Sequence, residues 1–335
     1  MLPYTWKKPI MQGLTAIAGI RVGHASNFDA LTGCTAILCE AGAVGGVDIR
    51  GSASETSSID TLQPGHIAPQ VHAIVLSGGS AFGLETASGV RHYLEQRGTG
   101  FHVGRSIVPI VPGAILFDLD LGKPGIRPTR EMGESAAAAA TADPVKEGAV
   151  GVGTGARLGL IYGIKQAMKS GVGSGLVELP GGVLVAALVV VNSFGDVRDP
   201  ATGHLIAGAR RAPDSMELAD TESVMKAGGM RAPEHRNTTL AVVATNARLS
   251  KLEATKLSQM GGLGVARTIY PIYTMFDGDT TFALSLGDAH ADVNTLGVAA
   301  AEAVAQAVVR AVKNAPTMGG IPGLLGLSLH KINAG

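Results

Sequence analysis

The chain has 335 residues and 34.0 kDa, with 46% hydrophobic and 16% charged side chains, a balance that excludes a disordered chain and leaves room for a large core. Its 27 basic and 27 acidic side chains cancel. No Lys/Arg block exceeds ordinary pairs such as Lys7-Lys8 and Arg210-Arg211, and aromatics are 4%, so no nucleic-acid footprint is expected.

Residues 1–20 lack the continuous apolar run of a signal peptide. No stretch reaches ~18 uninterrupted apolar residues, so no membrane span is expected. The only cysteines, Cys34 and Cys39, would face opposite sides of one strand, which argues against a mutual disulfide. Two cysteines in so long a chain suit a reducing, cytoplasmic compartment.

In chain order, residues 14–24 and 34–40 read as strands, and 72–76 as another, closed by Ser77-Gly78-Gly79. Ser80 is positioned to cap a helix over 81–97, where Phe82, Ala87, Val90 and Leu94 recur at helical spacing before Gly98. The valine-rich run 183–191 predicts a buried central strand. Residues 196–236 are broken repeatedly by Pro and Gly and read as a long connection or a flexible arm, with Asp214 capping a short helix through Lys226. Thr238 begins an apolar strand over 240–244. Ser250 and Glu253 form a capping box for a helix to about Met260. Residues 279–286 read as a strand, and Asn294 or Thr295 caps a long helix to Lys313. The class is α/β or α+β, without repeats.

The chemistry concentrates at two places. Asn237-Thr238 opens the segment NTTLAVVATNARLSK (237–251), and DGDTTFA occupies 277–283. A chain cut before Thr238 would carry a nucleophilic hydroxyl and a free α-amine on one residue. That amine, with a pKa near ~7.7–8.0, suits general-base work. Asp277 and Asp279 alternate across Gly278 and reach the same side of an extended segment. They can orient the Thr238 hydroxyl and amine, although a full negative charge beside the amine favours the ammonium, so a proton shared within the pair is one resolution. A simple Asp-Gly-Asp turn is the alternative.

NTT followed by DGDT resembles the DmpA-type aminopeptidase family, and within it the nylon-oligomer (aminohexanoate-oligomer) hydrolases. VHAIVLSGGSAFGLETASGV (71–90), GAVGVGTGA (148–156) and VVVNSFGDV (189–197) match family segments in the same order. The resemblance implies a four-layer αββα sandwich, self-cleaved into an α part (1–237) and a β part (238–335) that remain one domain and assemble as tetramers. It implies a self-processing N-terminal-threonine amide hydrolase acting on small peptides or oligoamides. Asn192 matches a functional Asn whose amide would stabilise an oxyanion; closing the strand and capping a turn is its other reading. Gly79, Ser80, Ala81 and Phe82 match a turn lining the active-site region, where backbone N–H groups at a helix start can bind an anion or carbonyl. One position departs: Leu160 stands where the nylon hydrolases carry a Lys, with Arg157 and Lys165 nearby.

No cofactor is expected. The glycines at 151, 153 and 155 do not fit a nucleotide loop, and Asp288, His290 and Asp292 are a turn more readily than a metal site. Two rivals remain: acyl transfer in the style of ornithine acetyltransferases, and a non-catalytic small-molecule binding protein using the SGGSAFG pocket.

Overall fold

The computed structural model describes residues 13–229 and 237–326. Eight strands carry the fold: β1 (Arg21–Asn27), β2 (Thr32–Ile49), β3 (Val71–Ser77), β4 (Gly113–Ile115), β5 (Val172–Leu179), β6 (Val183–Asn192), β7 (Thr238–Ala247) and β8 (Thr280–Ala289). The five α-helices among the described residues are α1 (Thr86–Glu95), α2 (Arg130–Ala138), α3 (Thr221–Lys226), α4 (Lys251–Ala266) and α5 (Val293–Lys313).

The strand order is β5-β6-β7-β8-β2-β3-β4, with Thr56–Ser57 beyond β4 and β1 on β2. This path is two sheets sharing one strand. The first half of β2 pairs with β1 and β3, and the second half with β8. The register slips between Leu38 and Ala43, where Gly42 sits at φ +89, a conformation only glycine adopts without strain. That bend carries the strand from one sheet to the other.

Three apolar layers follow from strand alternation. Between the sheets, Ile37, Ile74 and Leu76 meet Leu188, Val190, Val242 and Phe282. Val189, Val243 and Ala283 point the other way, onto Val304 and Val308 of α5. Cys34, Ala36 and Val75 face Val90 and Leu94 of α1 and Ala136 of α2. The four-layer αββα sandwich expected from the sequence is therefore present. Cys34 and Cys39, both free, lie in different layers.

Several local expectations need correction. Residues 14–24 are a turn followed by a strand, because Leu14, Ile17 and Ile20 are buried at a spacing of three, which suits a 3₁₀ turn (Gly13–Ala16). Ser80 does not cap a helix: it has φ +54 and opens a 3₁₀ segment (Ser80–Glu85) ahead of α1. The capping box at Ser250 and Glu253 forms, but α4 runs on past Met260 to Ala266. Its Gly264 is what lets α5 approach, since a Cβ there would lie 2.2 Å from the Ala301 carbonyl oxygen. Asp292, not Asn294 or Thr295, caps α5, accepting the Thr295 N–H at 2.9 Å. By length and composition α5 could cross a membrane, yet its apolar residues are buried against β5, β6 and α4, as in a core helix.

The described part of the 196–236 connection is tied down. Asp220, not Asp214, caps α3. The buried Asp196 carboxylate accepts hydrogen bonds from Ala209 N (2.8 Å), Thr221 N (2.6 Å) and Thr221 Oγ1 (2.8 Å). Residues 230–236 lie outside the described residues.

Burial pushes the Asp196 carboxyl up to about 6, against the pull of its donors. The folded chain thus holds a proton that the unfolded chain has lost, so this contribution to stability falls as pH rises from about 4 through 6. Asp196→Asn removes that slope. From pH 4 to 7 the parent should lose about 2 kcal/mol relative to the variant in urea unfolding. Parallel pH profiles for the two proteins would contradict this account.

Candidate active site

Four strand ends converge on Thr238. β7 and β8 run parallel in register, Leu240 opposite Thr280, so the residues that enter them lie side by side. Asn237 bridges Asp277. β6 is antiparallel to β7 and ends with Asn192 opposite Thr238. The second half of β2 ends at Ile49, opposite Thr280, and the chain then folds over the site. There Ala53 N donates to Asp277 O (2.9 Å), and Gly51 N donates to Asp279 O (3.2 Å). Asn192, Asn237, Thr238, Asp277 and Asp279 are all buried.

In the uncut chain two donors reach the Asn237 carbonyl oxygen. Gly278 N–H donates at 2.7 Å and the Thr238 hydroxyl at 2.5 Å. This is a polarised carbonyl beside a hydroxyl, with a backbone donor where an oxyanion would form. The Asn237 side chain is wholly buried, and neither its oxygen nor its nitrogen has a hydrogen-bond partner among the described residues.

The acidic pair flanks Thr238 without bonding to it. Asp277 accepts Phe194 N (3.2 Å), Thr274 N (3.2 Å) and the Thr274 hydroxyl (2.5 Å). Asp279 accepts Thr239 N (2.6 Å) and Tyr273 N (3.2 Å). Burial raises the Asp277 carboxyl above its ordinary value. Burial first, and then the charge of Asp277, raise Asp279 well above its own. A pair that resists carrying two charges places less pressure on a neighbouring amine to stay protonated.

Asn192 bridges two other segments instead of capping a turn. Its Oδ1 accepts Arg157 N (3.2 Å) and its Nδ2 donates to Phe117 O (3.1 Å). Leu160 lies in an apolar cluster with Phe194, and its N–H donates to Phe194 O (3.2 Å). Lys165 is exposed. The buried Arg157 guanidinium is committed to Asp120, Phe117 O and Gly155 O. The fully buried Lys169 has no sequence signal of its own. It donates to Gly153 O (3.0 Å), Ala156 O (2.6 Å) and Ser170 O (2.7 Å). Burial and then Arg157 push its ammonium down to about 7, while the Asp118 carboxylate works the other way.

A cavity of about 340 Å³ opens onto Thr238. Ser52, Ala53, Ser54 and Glu55 form one wall, and Ser80, Ile115 and Phe117 the other. Of the turn residues expected there, Ser80 lines the cavity, whereas Gly79, Ala81 and Phe82 do not. Gly79 N and Ser80 N are spent on Asp118 (2.7 Å) and Leu116 O (3.0 Å), so they offer nothing to an anion. Phe82 stacks under Arg127 at 3.5 Å. The 52–55 wall and the Gly278 N–H were not anticipated. A backbone donor has no residue-type signature, although Gly278 does stand inside the DGDT motif.

The sequence pattern of peptidase family S58 matches residues 12–325. The chain belongs to peptidase family S58. It is 40% identical to an uncharacterized aminopeptidase of Mycobacterium tuberculosis (strain H37Rv), over 93% of this chain and 96% of that one. A 6-aminohexanoate-oligomer endohydrolase of Kocuria sp. is 28% identical, over 88% and 84%. Among solved structures, the L-aminopeptidase D-Ala-esterase/amidase of Ochrobactrum anthropi, described as a variant of the Ntn hydrolase fold, superposes with a TM-score of 0.69 at 19% identity, over 96% and 91%. A β-aminopeptidase of Burkholderia sp. gives 0.67 at 22%, over 96% and 93%. This S58 peptidase is thus a hydrolase of amide bonds with the fold of that group.

The close packing around Gly278 makes a specific prediction for the peptidase. A Cβ there would lie 2.7 Å from Ala53 O and 2.8 Å from Thr238 Oγ1. Gly278→Ala forces a shift of the 278 backbone, Ala53 or the Thr238 side chain, so the self-cleavage expected at Asn237-Thr238 should slow at least ~100-fold, the scale for losing an oxyanion donor. Cutting at the parental rate, followed on a denaturing gel, would contradict this.

Proposed function

We propose that the chain cuts itself between Asn237 and Thr238 and then hydrolyses small peptides or oligoamides with Thr238 as an N-terminal nucleophile. The observation that carries this reading is the convergence of the Thr238 hydroxyl and the Gly278 N–H on one carbonyl, that of Asn237. Thr238 Oγ1 attacks the Asn237 carbonyl carbon, and Gly278 N–H holds the oxyanion. The carbon–nitrogen bond then breaks, the hydroxyl proton ends on the leaving amine, and an ester remains. Water hydrolyses that ester, freeing the Asn237 carboxylate and the Thr238 α-amine.

In turnover the same hydroxyl attacks the substrate amide, and the α-amine takes its proton. Asp277 and Asp279 hold the amine and hydroxyl in place. Asn192, opposite Thr238 in the ladder, gives its remaining amide hydrogen to the substrate oxyanion. The two free buried cysteines suit work in the cytoplasm, and the low share of charged residues suits a homo-oligomer of cut pairs, a tetramer in this reading. The test is a panel of peptides with free amino termini, β-peptides and aminohexanoate oligomers, with products read by mass spectrometry. Hydrolysis of at least one class by the cut protein is expected. A cut protein that only passes the acyl group to an amino-acid acceptor would replace hydrolysis with acyl transfer.

A further inference from the structure

We infer that Glu55 is the specificity residue of the cavity, taking the free ammonium of the substrate's acyl residue, so that attack removes an amino-terminal unit. This inference rests on the function proposed for Thr238. Glu55 carries the only charge among the described lining side chains; the others are small, hydroxylic or apolar. Its carbonyl accepts the Ile115 N–H at 3.2 Å, which fixes its backbone beside Ile115 in the cavity lining. Its carboxylate is exposed and has neither an ion pair nor a hydrogen bond with any described residue. Arg157, which bonds the carbonyl of the lining residue Phe117, is buried and already committed to Asp120.

An uncompensated carboxylate in a cavity beside the nucleophile sorts ligands by charge. With the scissile carbonyl at Thr238, the cavity receives either the acyl part or the leaving part of the substrate. The leaving part of a peptide ends in a carboxylate, which Glu55 repels. The acyl part of an amino-terminal unit carries an ammonium, which Glu55 can hold by a charge-assisted hydrogen bond. A volume of about 340 Å³ is at the small end of ligand pockets, which run from about 300 to 1,000 Å³, and suits a short acyl unit better than the middle of a long chain.

The experiment uses the cut, purified enzyme and three p-nitroanilides of one small amino acid: free amine, N-acetyl and N-succinyl. The parent should prefer the free amine over the acetylated compound by at least about tenfold in kcat/KM, with the succinylated one last. Glu55→Gln should shrink the free-amine advantage at least about fivefold, through KM, and Glu55→Lys should move the succinylated compound ahead of the free amine. A denaturing gel showing two fragments reports that each variant folds and matures. A cut, active parent that treats free and acetylated amines alike, or a Glu55→Gln enzyme that keeps the parental ratio, overturns the assignment of Glu55 alone. A purified, active parent that is never cut overturns the Thr238 reading, and this inference with it.

Discussion

Thr238→Ala is expected to yield an uncut, inactive chain that still folds. The hydroxyl is used twice, once on the Asn237 carbonyl and once on each substrate, and no other side chain among the described residues donates to that carbonyl. Turnover should fall at least about 1,000-fold, because the nucleophile itself is gone. The cost to stability is small by comparison. The change removes one hydrogen bond, worth about 1 kcal/mol, at a strand end and not in the core between the sheets. One band on a denaturing gel, a native circular dichroism spectrum and no hydrolysis are the expected results. Substantial hydrolysis by purified Thr238→Ala protein would place the nucleophile elsewhere.

The acidic pair carries the second large effect. Asp277→Asn and Asp279→Asn keep size but turn an acceptor into a donor. Asp279 faces two N–H groups, from Thr239 and Tyr273, and Asp277 faces the N–H groups of Phe194 and Thr274 and the Thr274 hydroxyl. An amide nitrogen meets a donor wherever it is placed, so the segments 273–274 and 194 lose their hold on the site. Each change should slow both cutting and turnover by at least ~100-fold, the lower scale for a positioned acid–base group. A chelator should not reproduce either effect in the parent. Near-parental cutting and turnover in both variants would remove the pair from the mechanism.

The parts of this site that depend on residue type were legible in the sequence. Thr238 and the Asp277/Asp279 pair stand in short motifs, and the strands that place them, β7 and β8, are marked by apolar runs. Asn192 was visible for the same reason, as a polar residue closing a valine-rich strand. The parts that depend on backbone were not. The Gly278 N–H becomes important only because β7 and β8 pair in parallel and bring residue 278 against residue 237. The wall Ser52–Glu55 reaches Thr238 because β2 continues past its bend at Gly42 into the second sheet, and a polar loop has no periodicity that announces such a path. The helix expected from Ala81 fails at its start for a related reason: the N–H groups of Gly78, Gly79 and Ser80 are taken by Gly33 O, Asp118 and Leu116 O. These partners are distant in the chain and invisible to local pattern.

The most direct test of the account is the amino-terminal sequence of the smaller fragment from purified, active protein. Two chains are expected after denaturation, the smaller spanning residues 238–335 and beginning Thr-Thr-Leu. A single intact chain with full activity, or a fragment beginning at any residue other than Thr238, would contradict it.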